Sequence, residues 1–163
     1  MPRVPFDELP GHARLWVFAA ERDLSHDEQT QFLDTVDAFL DGWQAHRHPL
    51  TSARDFRYGR FLMVAADEQA AGVSGCSIDA LVREIKRLEG ALGVRLVDHG
   101  PVLFRDDESI VRVPREEFAE LARVGRVTPD TRVFDNTVTR VDDLRSGRWE
   151  GPASASWHGR AFF

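Results

Sequence analysis

Cysteine, lysine and long apolar runs are the features that this sequence has least of. The lone cysteine, Cys76, excludes an internal disulfide and any cysteine-rich zinc site. No apolar stretch approaches the roughly 20 residues that a transmembrane helix needs, and the first residues lack the apolar core of a signal peptide. We therefore expect a cytoplasmic protein that has no membrane partner.

Basic residues are fewer than acidic ones: the sequence has 21 Lys and Arg residues against 27 Asp and Glu residues, which gives a net charge of −6. Proteins that bind nucleic acid or anionic lipid present a basic face. The composition therefore argues against a nucleic-acid partner. Lys86 is the single lysine, and every other basic residue besides histidine is arginine.

The apolar content is that of a folded protein. The 163 residues are 42% hydrophobic and 29% charged, which suits one domain with its own core. We predict a single α+β domain over 1–163, with a core over 13–105 and a C-terminal extension over 106–163.

Strand and helix patterns alternate along the predicted core. Ser25 and Glu28 form a capping box at the start of the first helix, and Ser77 is expected to cap the second. The predicted elements are a strand over 14–20, a helix from Ser25 to Gly42-Trp43, strands over 52–58 and 60–66, a helix from Ser77 to Gly93 and a strand over 94–97. This βαββαβ order predicts a ferredoxin-like split βαβ core, in which two helices cover one face of an antiparallel sheet.

The C-terminal extension is predicted to contain strands and a helix. Two strands flank the polar turn over 106–108, a short helix runs from Pro114 to near Gly125, and one more strand lies within 132–141. An irregular tail follows. Its aromatic residues are expected to dock on the body: Trp157, Phe162 and Phe163.

The turn Ser74-Gly75-Cys76-Ser77 carries the main functional signal. Small residues here let backbone amides converge at a helix start, where they attract negative charge. A thiol in that position is stabilised as the thiolate and can act as a nucleophile. Cys76 is thus a candidate catalytic residue, and Ser74, Gly75 and Ser77 are candidate ligand-binding residues. The alternative is that Cys76 is a small buried residue, as free cysteines usually are, beside ordinary capping serines.

Two further residues are candidate bases for this thiol. Asp79 is expected in the first turn of the second helix, where its carboxylate would offset the helix dipole and also serve as an acceptor or base. His46 could act as the general base of a Cys-His pair. His46 and His48 could instead form a metal site with Asp67 or Glu68. Because His-x-His-Pro is more typical of a solvated turn, we expect no metal and no cofactor.

Two other segments are weaker candidates for ligand binding. Asp67 and Glu68 end a predicted central strand, where carboxylates often line sites, and the alternative for them is solvated loop charge. His158 follows Trp157 in Ser156-Trp157-His158 and offers a titratable group beside an aromatic platform. The alternative there is a tryptophan that anchors the tail.

Several segments together resemble a small family of uncharacterised bacterial proteins, over almost the full length of the chain. They are Trp43-x-x-His46, Asp67-Glu68, Ser74-Gly75-Cys76-Ser77-Ile78-Asp79, Thr131-x-Val133-Phe134-Asp135-Asn136 and Ser156-Trp157-His158. Members of that family often carry the label ABC transporter ATPase. Such an ATPase needs a glycine-rich loop that ends in Gly-Lys-Ser/Thr, whereas Lys86 follows no such loop. The resemblance therefore implies a recurring residue set and no ATPase activity.

Three classes of function remain open from the sequence. The first is cysteine-dependent acyl or thiol chemistry at Cys76, with His46 or Asp79 as base. The second is a non-enzymatic module that binds a small anion or a nucleotide. The third is an interaction protein whose aromatic tail mediates assembly into a homo-oligomer.

Overall fold

A computed structural model describes residues 3–68 and 73–163. The described chain is mixed α+β with antiparallel sheets, which confirms the predicted class. It divides into two compact units, one comprising Met1–Val97 and Thr139–Asp142 and the other Asp98–Val138 and Asp143–Phe163. A single domain over the whole chain stays a prediction. In the described ranges, no helix combines the length and the apolar character needed to cross a membrane.

The first unit is built around a three-stranded sheet. Its elements are β1 (Arg14–Ala19), α1 (His26–Asp41), β2 (Gln44–Ala45), β3 (His48–Pro49), β4 (Ser52–Arg57), β5 (Phe61–Ala66) and α2 (Gly75–Leu92). The sheet order is β1-β5-β4, with both pairs antiparallel. Every residue of the central strand β5 is buried, as its apolar run predicts. The β4–β5 hairpin turns at Tyr58 and Gly59, with φ of 58° and 65°, the left-handed pair that a tight hairpin requires.

Both long helices contribute to one hydrophobic core with a face of β5. The capping box of Ser25 and Glu28 opens α1 as predicted. The left-handed Gly93, with φ of 65°, closes α2. The helix residues buried in this core are Phe32, Val36 and Leu40 from α1 and Leu81, Ile85 and Leu88 from α2.

The strand predicted over 94–97 is wrong. The backbone amides of Leu96 and Val97 donate to Oε2 of Glu89, at 2.6 and 2.9 Å. Those amides are therefore unavailable to a sheet ladder. The neighbour of β1 on its outer side is not 94–97 but the segment Thr139–Asp142, which belongs to the first unit. The amide of Leu15 donates to the carbonyl of Thr139 at 2.8 Å. The first helix also ends at Asp41, with Gly42 as its C-cap, rather than at Trp43.

The chain after residue 97 forms a second sheet with the order β7-β6-β8-β9. Its elements are β6 (Val102–Asp106), β7 (Ser109–Val113), α3 (Arg115–Arg123), β8 (Arg132–Phe134), α4 (Val141–Arg145), β9 (Glu150–Pro152) and α5 (Trp157–Phe162). The predicted hairpin and the helix after Pro114 are confirmed. The strand expected within 132–141 covers only β8, and the tail is helical at α5 instead of irregular.

Aromatic side chains hold the tail of the second unit in place. Phe118 of α3 is fully buried, and its ring centroid lies 4.9 Å from that of Phe162. Trp157 packs against the same core. The predicted docking is confirmed within the second unit for Trp157 and Phe162, whereas Phe163 is 44% exposed.

Candidate functional site

The start of α2 is fixed by its two serines. Ser74 is the N-cap, and its Oγ accepts a hydrogen bond from the amide of Ser77 at 3.1 Å. Ser77 was predicted to cap the helix, and that prediction is wrong. Its buried hydroxyl instead donates to the carbonyl of Gln44 at 2.6 Å, so it ties α2 to β2.

The β2–β3 hairpin is attached to the same helix start by a second bond. The indole Nε1 of Trp43 donates to the carbonyl oxygen of Ser77 at 2.9 Å. The hairpin turns at His46 and Arg47, which are both exposed and have φ of 50° and 67°. The fold thus brings the hairpin that carries His46 to the first turn of α2. Among the described residues, no hydrogen bond links the His46 imidazole to the Cys76 thiol, and their pairing stays a prediction.

Cys76 is the second residue of α2 and is exposed. The alternative of a small buried cysteine is therefore wrong. A Cβ added at the neighbouring Gly75 would meet no atom within 4 Å, so the surroundings are open on that side. Within residues 3–68 and 73–163, no acceptor is bonded to the amides of Gly75 and Cys76. An exposed thiol with these amides at its base can take part in nucleophilic chemistry.

Asp79 lies outside the first turn of α2, which contains no acidic residue. The prediction was wrong because the helix begins at Gly75, earlier than a cap at Ser77 implies. No first-turn carboxylate offsets the positive end of the helix dipole. Asp79 and Cys76 are both exposed and stand three residues apart, so they share one face of α2.

The carboxylates that end β5 belong to surface ion pairs. Oδ1 of Asp67 lies 3.3 Å from Nε2 of His12, and Oε1 of Glu68 lies 3.6 Å from Nη1 of Arg14. Among the residues that the structure describes, no group of three His, Cys, Asp or Glu side chains is arranged to hold a metal ion.

His158 lies in the interior of the second unit, with 1% of its surface exposed. Its Nδ1 is 2.7 Å from Oγ of Ser156, and its ring stacks on Trp157 at 4.0 Å. Burial lowers the pKa of His158 to about 4, with Arg115 adding to the effect and Asp135 opposing it. The imidazole is therefore neutral at pH 7 and holds Ser156 in position. The anchor interpretation of Trp157 agrees with this packing.

Ser156 lines a cavity of about 320 Å³ in the second unit. Sequence reasoning did not select Asp135 as a site residue, because no local pattern relates it to Ser156. Asp135 directly follows β8, which pairs with β9, and both residues line the cavity. Its lining includes Asp135, Arg148, Trp149 and Ser156.

Comparison with protein-family models, curated proteins and solved structures gives no match. The resemblance to the bacterial family therefore stays a prediction. Two pairs of its segments nevertheless lie together in the structure. Trp43 bonds to Ser77 in the first unit, and Asp135 shares a cavity with Ser156 in the second. These two places are the candidate sites of the molecule.

Proposed function

We propose that Cys76 is the nucleophile of a small enzyme that performs acyl or thiol-exchange chemistry. The observation that carries this proposal is the exposure of the single thiol in the first turn of α2, an 18-residue helix. Partial positive charge at a helix N-terminus stabilises a thiolate. The first turn of α2 contains no acidic residue.

The proposed acyl step uses groups that lie around the helix start. The thiolate of Cys76 attacks a substrate carbonyl carbon, and the amides of Gly75 and Cys76 stabilise the oxyanion that forms. The carbon–oxygen or carbon–sulfur bond to the leaving group then breaks, and the leaving group takes a proton. A water molecule releases the acyl group from the sulfur. His46 or Asp79 is the proposed base, since one lies on the attached hairpin and the other on the exposed face of α2.

We also propose a ferredoxin-like fold for the first unit. The order β1-β5-β4 and the two helices in one core fit three strands of that arrangement. Membership of the bacterial family and a cytoplasmic location are proposals that rest on the sequence alone.

Acyl transfer to Cys76 can be tested with p-nitrophenyl acetate. We expect release of p-nitrophenolate and a transient increase in protein mass by one acetyl group, located at Cys76. The C76S variant should lose both signals. The base is identified by which of His46→Gln and Asp79→Asn slows the release of p-nitrophenolate. His48→Gln is the matched control on the same hairpin and should not slow it. If the C76S variant releases p-nitrophenolate as fast as the wild type does, the proposal is contradicted.

A second candidate function is the binding of a small anion or nucleotide by the same amides. It is favoured by the lack of an acidic residue in the first turn of α2 and by the open space beside Gly75. Thermal-shift titration with inorganic phosphate and with ATP separates the two functions. Stabilisation that survives C76S supports binding without catalysis. Self-association through the tail is less favoured, because Trp157 and Phe162 pack against the core of their own unit.

A further inference from the structure

We propose that the second unit binds a small zwitterion of the α-amino acid class in the cavity lined by Asp135 and Arg148. The site is separate from Cys76 and does not depend on the chemistry proposed there. Three observations support it: the dimensions of the cavity, its one acidic and one basic side chain, and a serine hydroxyl held in position from behind.

The cavity is large enough for a small metabolite. Its volume of about 320 Å³ lies at the lower end of the range of ligand pockets. Glycine backbone and apolar side chains form most of the wall, so that few polar groups decide what is bound. The remaining lining residues are Val133, Ser146, Gly147, Trp149, Gly151, Pro152 and Ala155.

Asp135 supplies the negative end of the site. The carboxylate is half-buried, and its Oδ1 accepts hydrogen bonds from the backbone amide and the hydroxyl of Thr137. These bonds fix the orientation of the side chain. Within the described ranges, no arginine, lysine or histidine forms an ion pair with Asp135. An ammonium group in the cavity would supply the missing positive charge.

Arg148 supplies the positive end. Its side chain is 75% exposed, and its Nη1 lies 3.5 Å from Oδ1 of Asp143. An exposed ion pair of this length contributes little and is readily exchanged. The guanidinium can therefore turn to a ligand carboxylate, which it matches with two parallel hydrogen bonds.

Ser156 adds a neutral hydroxyl group to the lining of the same cavity. Its Oγ caps α5 by accepting from the amide of His158 at 3.2 Å, and it lies 2.7 Å from Nδ1 of the buried His158 and 3.2 Å from the carbonyl oxygen of Ala153. The hydroxyl proton is therefore used within the chain, and Oγ would serve a ligand as an acceptor. Because His158 is neutral at pH 7, it brings no second positive charge to the wall. One acid and one base thus favour a zwitterion over a simple anion such as phosphate. An imidazole whose pKa is about 4 is also a poor general base at neutral pH, which argues for binding rather than catalysis by Ser156.

The test is a titration of the full chain with each of the twenty L-amino acids at up to about 10 mM, read by thermal shift and by the indole N–H signal of Trp149. The indole signals are assigned with a Trp149→Phe variant. For the best amino acid, the matching amine without the carboxylate and the matching acid without the amine are titrated as well. We expect saturable binding of at least one amino acid and binding about tenfold weaker or worse for both partial ligands.

Two variants test which side chains bind the charged groups of the amino acid. Asp135→Asn and Arg148→Gln should each weaken binding about tenfold, whereas Arg126→Gln, an exposed arginine of the same unit that does not line the cavity, should leave it unchanged. Arg148 is exposed, so its variant keeps the fold even where Asp135→Asn does not. If no amino acid binds saturably, or if Arg148→Gln and Arg126→Gln bind alike, the proposal is wrong. C76S should bind as the wild type does, which separates this result from the fate of the proposed thiol chemistry.

Discussion

The indole nitrogen of Trp43 and the carbonyl oxygen of Ser77 are joined by a buried hydrogen bond of 2.9 Å. This bond, with that from Ser77 to Gln44, attaches the hairpin of His46 to the helix that begins beside Cys76. The position of the proposed nucleophile therefore depends on contacts between segments more than 30 residues apart in sequence.

Replacing Trp43 with phenylalanine should destabilise the chain by about 1–3 kcal/mol, because the carbonyl of Ser77 loses its buried donor. Urea unfolding measures the loss. Trp16→Phe is the control, since the Trp16 ring packs edge-on against Trp43 at 5.7 Å and no hydrogen bond of its indole is found among the described residues. Equal losses in the two variants would show that the hydrogen bond contributes nothing beyond ring packing.

Asp37 of α1 should stabilise the first unit through Arg54 of β4, whose Nε and Nη2 donate to the carboxylate at 2.7 and 2.9 Å. Burial alone would raise the pKa of the Asp37 carboxyl, but the hydrogen bonds and charge of Arg54 outweigh it, so the pKa is lowered. The stabilisation is therefore present at neutral pH and is lost as the pH falls through the lowered pKa. Asp37→Asn should cost about 1–3 kcal/mol at neutral pH.

The measurement for Asp37 is the free energy of unfolding of wild type and variant across acidic pH. The difference between them should shrink as the carboxyl becomes protonated. Asp34→Asn, on the same helix, is the control. A difference that stays constant down to strongly acidic pH would contradict the role assigned to the ion pair.

His158 should make stability depend on pH. Its pKa is about 4 in the folded chain against an ordinary value of 6.5, so the unfolded chain binds the extra proton between those values. The contribution of His158 to stability should be fully present well above pH 6.5, fall by on the order of 3 kcal/mol as the pH drops towards 4, and change no further below that. Urea unfolding at several pH values should show the slope, and His158→Gln should reduce it. An unchanged slope in His158→Gln would mean that other groups are responsible.

Glu89 should fix the segment after α2, because its Oε2 accepts from the amides of both Leu96 and Val97. Glu89→Leu leaves two partly buried donors without a charged acceptor and should cost about 2–3 kcal/mol. Glu84→Leu, which removes a surface pair with Arg87, should cost much less than Glu89→Leu. Thermal or urea unfolding of both variants compares them. Hydrogen exchange at Leu96 and Val97 should become faster in Glu89→Leu alone.

The features that sequence reasoning predicted correctly are those set by local patterns. The capping box of Ser25, the turn at Gly59 and the apolar run of β5 each depend on neighbouring residues, and the structure confirms them. The strand over 94–97 failed because carboxylates take its amides: Glu21 accepts from Arg95, and Glu89 accepts from Leu96 and Val97. No local pattern signals such a contact.

At the candidate sites, too, features set by neighbouring residues could be predicted and features set by distant contacts could not. The place of the thiol at a helix start could be anticipated from its small neighbours, although the helix begins at Gly75 and not after Ser77. Its exposure could not, since a buried cysteine was the more usual alternative. Asp135 and Ser156 could not be paired from the sequence, since their meeting depends on the antiparallel register of β8 and β9. His158 was predicted to bind a ligand; it is buried and contacts Ser156, and its role toward a ligand stays a prediction.

The reactivity of Cys76 is tested most directly by the rate of its alkylation with iodoacetamide in the native chain and in the same chain unfolded in urea, both at pH 7. A single cysteine makes the labelled site unambiguous, and the unfolded chain supplies the thiol without the helix. If the start of α2 activates the thiol, the native rate should exceed the unfolded rate by about tenfold. A native rate equal to or below the unfolded rate would show that Cys76 is an exposed but ordinary cysteine.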